Sequence, residues 1–277
     1  MTARPGWPIS GVDFTSRPRK QKPITVATGR MRSGAFELES IEEYCDWEKY
    51  ESWLKRHGSW VAGFDFPFGL PREAVRDLGW PTSWHDLVLH CRSLGREGFR
   101  TALDRYRESR PVGSRYAHRA TDRPAGSHSP LKLVNPPVGL MFLEGAPRLL
   151  EAGVTIPGLM KGDPQRIAFE AYPGFVARQM VRSSYKNDAR AKQTPQRMRA
   201  RKAIVTALAS SDNPFVFALS ASPRTLRSLV LDATGDRLDA VLCALQAAWA
   251  WQRRSQNYGL PKEIDPLEGW IVMVAGK

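Results

Sequence analysis

Cysteine is scarce in this 277-residue chain: Cys45, Cys91 and Cys243 lie far apart with no C-x-x-C pair. That excludes a disulfide framework and a zinc knuckle, and it leaves three thiols suited to a reducing compartment. The five histidines, His57, His85, His90, His118 and His128, form no H-E-x-x-H pair, which removes the usual zinc hydrolases. No stretch of about 18 uncharged apolar residues occurs, so no membrane span is encoded. Residues 1–8 hold two prolines and no apolar run, unlike a signal peptide, and the expectation is a soluble cytoplasmic protein with no membrane partner. Neither G-x-x-x-x-G-K-[ST] nor a strand-linked G-x-G-x-x-G is present, against nucleotide-driven motors and Rossmann dehydrogenases. Gly126-Ser127-His128-Ser129-Pro130 lacks the second glycine of a nucleophile elbow, against a serine hydrolase. Acids are also in short supply. Asp and Glu total 28 against 41 Lys and Arg, a net charge of +13 whose field attracts polyanions, so nucleic acid is the first partner to expect.

What is present is an ordinary globular balance, 42% hydrophobic and 10% aromatic, enough for one sizeable core. Strands are expected over 9–15, 23–28, 35–41, 60–66, 166–172 and 269–275, from short apolar or alternating runs closed by Pro, Gly or polar turns. Aromatic residues three apart at Trp47, Tyr50 and Trp53 predict a helix over 46–56. Further helices fit 84–94, 98–108, 173–181 and 195–208, the last two with proline in the first turn. The alanine-rich stretch 236–252 predicts a helix buried on most of its surface. The irregular segment 70–164 reads as an insertion between the fourth and fifth strands of a single domain spanning 1–277.

Three expected strands carry an acid near the carboxyl end: Asp13, Asp65 and Glu170. Singly, such an acid is most often a cap or a salt-bridge partner. Repetition changes the reading, because a carboxylate on a buried strand must be paired or metal-bound, and ligands of open α/β sheets sit at the carboxyl ends of strands. Asp236 and Asp239 add two acids on one side of the buried helix, although Asp236 also suits the positive end of the helix dipole. Carboxylates without His or Cys companions select hard cations, Mg²⁺ or Mn²⁺, and a pair of such ions can clamp a phosphodiester. Asp122, in a loop with arginines, is better read as an Arg-paired acid.

Gly11-Val12-Asp13, the segment from Gly63 to Pro71, Phe169-Glu170-Ala171-Tyr172-Pro173, Ser184-Tyr185-Lys186, Asp236-Arg237-Leu238-Asp239-Ala240 and Glu268-Gly269-Trp270-Ile271 together resemble the successive motifs of a known family. It is the family of ribonuclease H-like nucleases catalogued as domain of unknown function 429. The resemblance spans nearly the whole chain in order. It implies a mixed sheet, three antiparallel strands then parallel ones, with helices on both faces. It also implies acids on the first strand, the fourth strand, the next strand and the last helix, which map onto Asp13, Asp65, Glu170 and Asp239.

Positive charge is concentrated between residues 182 and 202, where Asp188 is the lone acid. Arg190, Lys192, Arg197, Arg199 and Arg201, with Tyr185 as a stacking ring, form a candidate phosphate track; a solvated helix face is the plain alternative. A second cluster, Arg17, Arg19, Lys20 and Lys22, lies just beyond Asp13 and reads most simply as a charged connecting loop. The expectation is therefore metal-dependent hydrolysis of DNA or RNA. Asp13 would bridge two ions, Asp65 and Glu170 would hold one each, Asp239 with Asp236 would complete the set, and Lys186 would hold a phosphate. Two other classes compete. Kinase-like phosphoryl transfer uses the same sheet but wants a glycine soon after the first-strand acid, where Phe14 and Thr15 stand, and ATP binding would reveal it. A catalytically silent nucleic-acid-binding module would bind without metal-dependent cleavage, but acids beside a phosphate track weaken binding unless a cation offsets them.

Overall fold

Short apolar runs punctuated by turns become the centre of one seven-stranded sheet in the computed structural model, which describes residues 6–276. Strands β1 (Ile9–Asp13), β2 (Ile24–Arg32) and β3 (Ala35–Tyr44) form an antiparallel meander. Helix α1 (Trp47–Leu54), N-capped by the Asp46 side chain on the Lys49 amide, leads to β4 (Trp60–Phe64), which pairs parallel with β1. Helices α2 (Arg72–Asp77), α3 (Trp84–Glu108), α4 (Asp122–Ala125) and α5 (Val138–Ala152) follow. Next come β5 (Val154–Thr155), β6 (Asp163–Glu170), α6 (Pro173–Met180), α7 (Pro195–Leu208), β7 (Leu219–Ser220), α8 (Pro223–Leu231) and α9 (Asp236–Gln252). The strand order is β5-β6-β4-β1-β2-β3-β7, antiparallel only within the meander, which is the mixed arrangement expected of a ribonuclease H-like sheet.

The strand pleat divides the core in two. Val12, Ala62, Phe64 and Ala168 pack with α1, α3 and α5 on one face. Ile9, Val61, Ile167 and Phe169 pack with α6, α7, α8 and α9 on the other. Segment 70–164 is thus not peripheral: its helices cover one face, and its last residues add β5 to the sheet edge. Gly95, at φ 63°, breaks α3 into the two helical pieces expected there. None of the described helices is long and apolar enough to cross a membrane.

Helix α9 lies against β1 and β4 at backbone distance. A Cβ at Gly11 would fall 2.0 Å from the Ala240 carbonyl oxygen, and one at Gly63 would fall 2.5 Å from that of Cys243. Two strand glycines meeting an alanine-rich helix bring its acidic first turn beside the ends of the strands.

Two strand expectations need correction. Segment 269–275 is not a strand; one bridge, Glu170 with Ile271, is all that forms. Gly269 and Met273 adopt φ of 70° and 71°, and the Trp270 indole donates to the Val274 carbonyl, so the chain turns on itself instead of extending. Strand β6 begins earlier than expected and ends at Glu170, leaving Ala171 and Tyr172 outside it.

Candidate metal centre

Gly11 and Gly63 are register partners, so the residues two positions on, Asp13 and Asp65, emerge on the same side, the α9 side. Asp239 lies one helical turn into α9 and is fully buried. One carboxylate oxygen from each of Asp13, Asp65 and Asp239 lies within 4.8 Å of the other two. Three acids from three elements converge, as the strand and helix patterns predict.

The fourth expected acid does not join them. Glu170 pairs in register with Phe64, one residue out of phase with Gly63, so its side chain projects to the opposite face. The position in phase with Asp13 and Asp65 is Ala171, just beyond β6. Glu170 is instead clamped by Arg119, whose two terminal nitrogens donate at 2.8 and 2.6 Å, and by the Phe68 amide at 2.9 Å. Its ligand role is therefore withdrawn. Arg119 also binds Asp122, the Arg-paired loop acid anticipated from sequence, and the Glu268 carbonyl. The Glu268 carboxylate accepts the Arg72 and Ala120 amides, completing a buried ionic network that ties 70–164 to the sheet end.

Burial sets the electrostatics of the cluster. Asp13 is pushed well above the ordinary carboxylate range by desolvation and then by Asp236, with Lys186 opposing and Asp239 reinforcing. Asp65 is raised to about 7, again chiefly by desolvation, with Lys186 opposing and Asp239 and Glu170 adding. Asp236 is raised by burial and relieved by Lys22, whose ammonium sits 2.7 Å away and also reaches Asp188 at 3.2 Å. Asp236 thus pairs with Lys22 and lies outside the group of three carboxylates that approach within 4.8 Å of one another. Lys186 reaches the Asp239 carboxylate, whose other oxygen accepts the Tyr185 hydroxyl at 2.6 Å. Two lysines supply part of the positive charge that a cluster of this kind requires.

Sequence reasoning missed Lys22 and Arg119. Lys22 belongs to a basic cluster that looked like a solvated loop, and its partner Asp236 is 214 positions away. Arg119 lies in a loop without periodicity. The basic run itself divides. Arg190, Lys192 and Arg199 are exposed and Arg197 is half-buried, as a phosphate track requires. Arg201 is buried, donating to the Tyr185 and Val230 carbonyls, and so is withdrawn from the track. Tyr185 is withdrawn as a stacking ring because its ring is buried and its hydroxyl is committed to Asp239.

Asp13 and Asp65 open onto a cavity of about 690 Å³ that Lys22 and Lys186 also line, with Asp239 buried beside the two acids. His128, Asn135 and Met141 from segment 70–164 line the cavity as well. The donor set, three carboxylates with neither imidazole nor thiolate, fits a hard divalent cation. The family model described as "Protein of unknown function (DUF429)" matches residues 11–263, which include every acid of the cluster. The chain belongs to this family. No curated protein and no solved structure matches it.

Proposed function

We propose that the protein is a metal-dependent phosphodiesterase acting on nucleic acid, with Mg²⁺ or Mn²⁺ as its cofactor. The observation that carries this reading is the convergence of Asp13, Asp65 and Asp239 on an open cavity in a chain of net charge +13. A divalent cation bound there supplies charge against the phosphate and lowers the pKa of an attacking water. Asp13 and Asp65, at the cavity wall, would be its accessible ligands, and the buried Asp239 would be the third. The raised pKa values of Asp13 and Asp65 suit this role, since a cation offsets the repulsion and desolvation that otherwise hold protons on them. Lys186, ion-paired with Asp239 yet partly open to the cavity, is placed to hold a phosphate oxygen. Arg190, Lys192, Arg197 and Arg199 extend the positive surface on which a polyanion would lie. Three cysteines, all unpaired, suit a reducing cytoplasm.

The test is incubation with labelled DNA, RNA, hybrid and branched substrates in Mg²⁺ or Mn²⁺ beside Asp13→Asn. Cleavage that needs the metal and falls by orders of magnitude in the variant supports the reading. Metal-independent cleavage, or cleavage indifferent to Asp13, defeats it. Binding without cleavage of any substrate would make the protein a silent module.

A further inference from the structure

We propose that this site takes a single unpaired nucleic-acid strand and seats one base on Tyr172. The inference rests on the nucleic-acid reading above and adds the strand state of the substrate and the residue that selects it.

The first observation is that the acids are recessed, Asp13 being buried and Asp65 half-buried. Asp13 and Asp65, at the sheet ends, share the cavity lining with His128, Asn135 and Met141. A volume of about 690 Å³ lies in the range of roughly 300–1,000 Å³ that buries a small organic ligand, the scale of a nucleotide or two and far below a duplex. Acids recessed in a cavity of this size suit a splayed single strand better than a paired helix.

The second observation is that the segment leading to His128 is anchored. Arg119 joins it to Glu170 on β6, and Arg178 on α6 donates to its Ala125 and Gly126 carbonyls. Moving that segment aside would leave the charges of Arg119, Asp122 and Glu170 buried without partners.

The third observation is an aromatic platform in the cavity lining. Tyr172 is half-buried and borders the cavity two residues beyond Glu170. Its ring rests on α6, where Gly174 leaves room: a Cβ there would come within 3.0 Å of the ring. One turn along the helix, the Arg178 guanidinium carbon lies 5.2 Å from the ring centroid. A ring held in place by helix and cation offers stacking that any base can use, and Arg182, exposed on the same lining, offers a charge for the adjoining phosphate. Tyr185, the ring that sequence suggested, cannot serve, being buried and bound to Asp239.

The experiment compares one labelled sequence as single strand, blunt duplex and tailed duplex. Affinity is measured by fluorescence anisotropy with Ca²⁺, and cleavage is followed with Mn²⁺. Wild type should bind and cut the single strand and the tail at least tenfold better than the blunt duplex. Tyr172→Ala should weaken single-strand binding by roughly five- to a hundredfold, the equivalent of one lost stack, and Tyr172→Phe should restore it. Circular dichroism melting establishes that both variants fold. Equal cleavage of blunt duplex would overturn the single-strand inference and leave the nuclease reading standing. Single-strand binding that depends on Tyr172, with no cleavage of anything, would do the reverse. Unchanged affinity in a folded Tyr172→Ala protein would overturn the platform.

Discussion

Replacing Asp65 by Asn should stabilise the metal-free protein at pH 8 and leave it unchanged near pH 4. An ordinary aspartate ionises at 3.8, and this one holds its proton up to about 7 because it is desolvated beside Asp239 and Glu170, with Lys186 offsetting only part of the effect. Between those values the folded protein binds a proton that the unfolded chain has released, so stability falls as pH rises through the window. The full difference, at 1.36 kcal/mol per tenfold change in acidity, amounts to about 4 kcal/mol above pH 7. Asp65 is partly open to the cavity, and solvent screening reduces this to roughly 1–2 kcal/mol. Asn removes the ionisation and keeps the shape. For a chain this long the gain at pH 8 corresponds to about 2–4 °C in melting temperature. The assay is thermal unfolding in EDTA at both pH values, then with excess Mg²⁺. Metal at a hundred times its Kd should stabilise the wild type by about 2.7 kcal/mol at pH 8 and the variant much less. If Asn destabilises the protein equally at both pH values and Mg²⁺ moves neither curve, Asp65 is a structural acid and the reasoning fails.

Arg119→Ala should cost about 3–5 kcal/mol, visible in denaturant unfolding, because Glu170 and Asp122 are left buried and unpaired; a change under 1 kcal/mol would contradict the network. Changing Arg190, Lys192, Arg197 and Arg199 together to Ala should weaken nucleic-acid binding and flatten its salt dependence by up to about 0.9 per phosphate contact on duplex DNA, somewhat less on single strands. Arg201→Ala should lower thermal stability, since its partners are the Tyr185 and Val230 carbonyls, and an effect confined to the salt slope would show it to be part of the track after all. Gly11→Ala should displace α9 and destabilise the protein by at least about 1–3 kcal/mol, read from melting curves, since its methyl group would overlap the Ala240 carbonyl; a neutral effect would refute the close helix contact.

The legible part of the site followed from periodicity. Asp13 and Asp65 each stand two residues after a glycine on a buried strand, and alternation carries both to the face where α9 approaches. Asp239 was visible as an acid inside an apolar helix. Glu170 shared the look of a strand-end acid, but its face depends on pairing register, and a shift of one residue sends it to Arg119. No local pattern encodes that register. The same limit hid the Lys22–Asp236 contact, made across 214 positions, and the burial of Tyr185 and Arg201 within a run that reads as a phosphate track or a solvated helix face. The meander and α9 were readable because each satisfies its own periodicity. Segment 269–275 was not, because an apolar composition does not reveal the left-handed backbone at Met273 that turns it.

The metal centre is tested most directly by diffraction from crystals soaked in Mn²⁺, with data collected at the manganese absorption edge. The expected result is an anomalous peak about 2.0–2.3 Å from carboxylate oxygens of Asp13, Asp65 and Asp239, absent from Asp13→Asn crystals. A saturating soak that leaves no peak between these three carboxylates, with Lys186 still bound to Asp239, would contradict it.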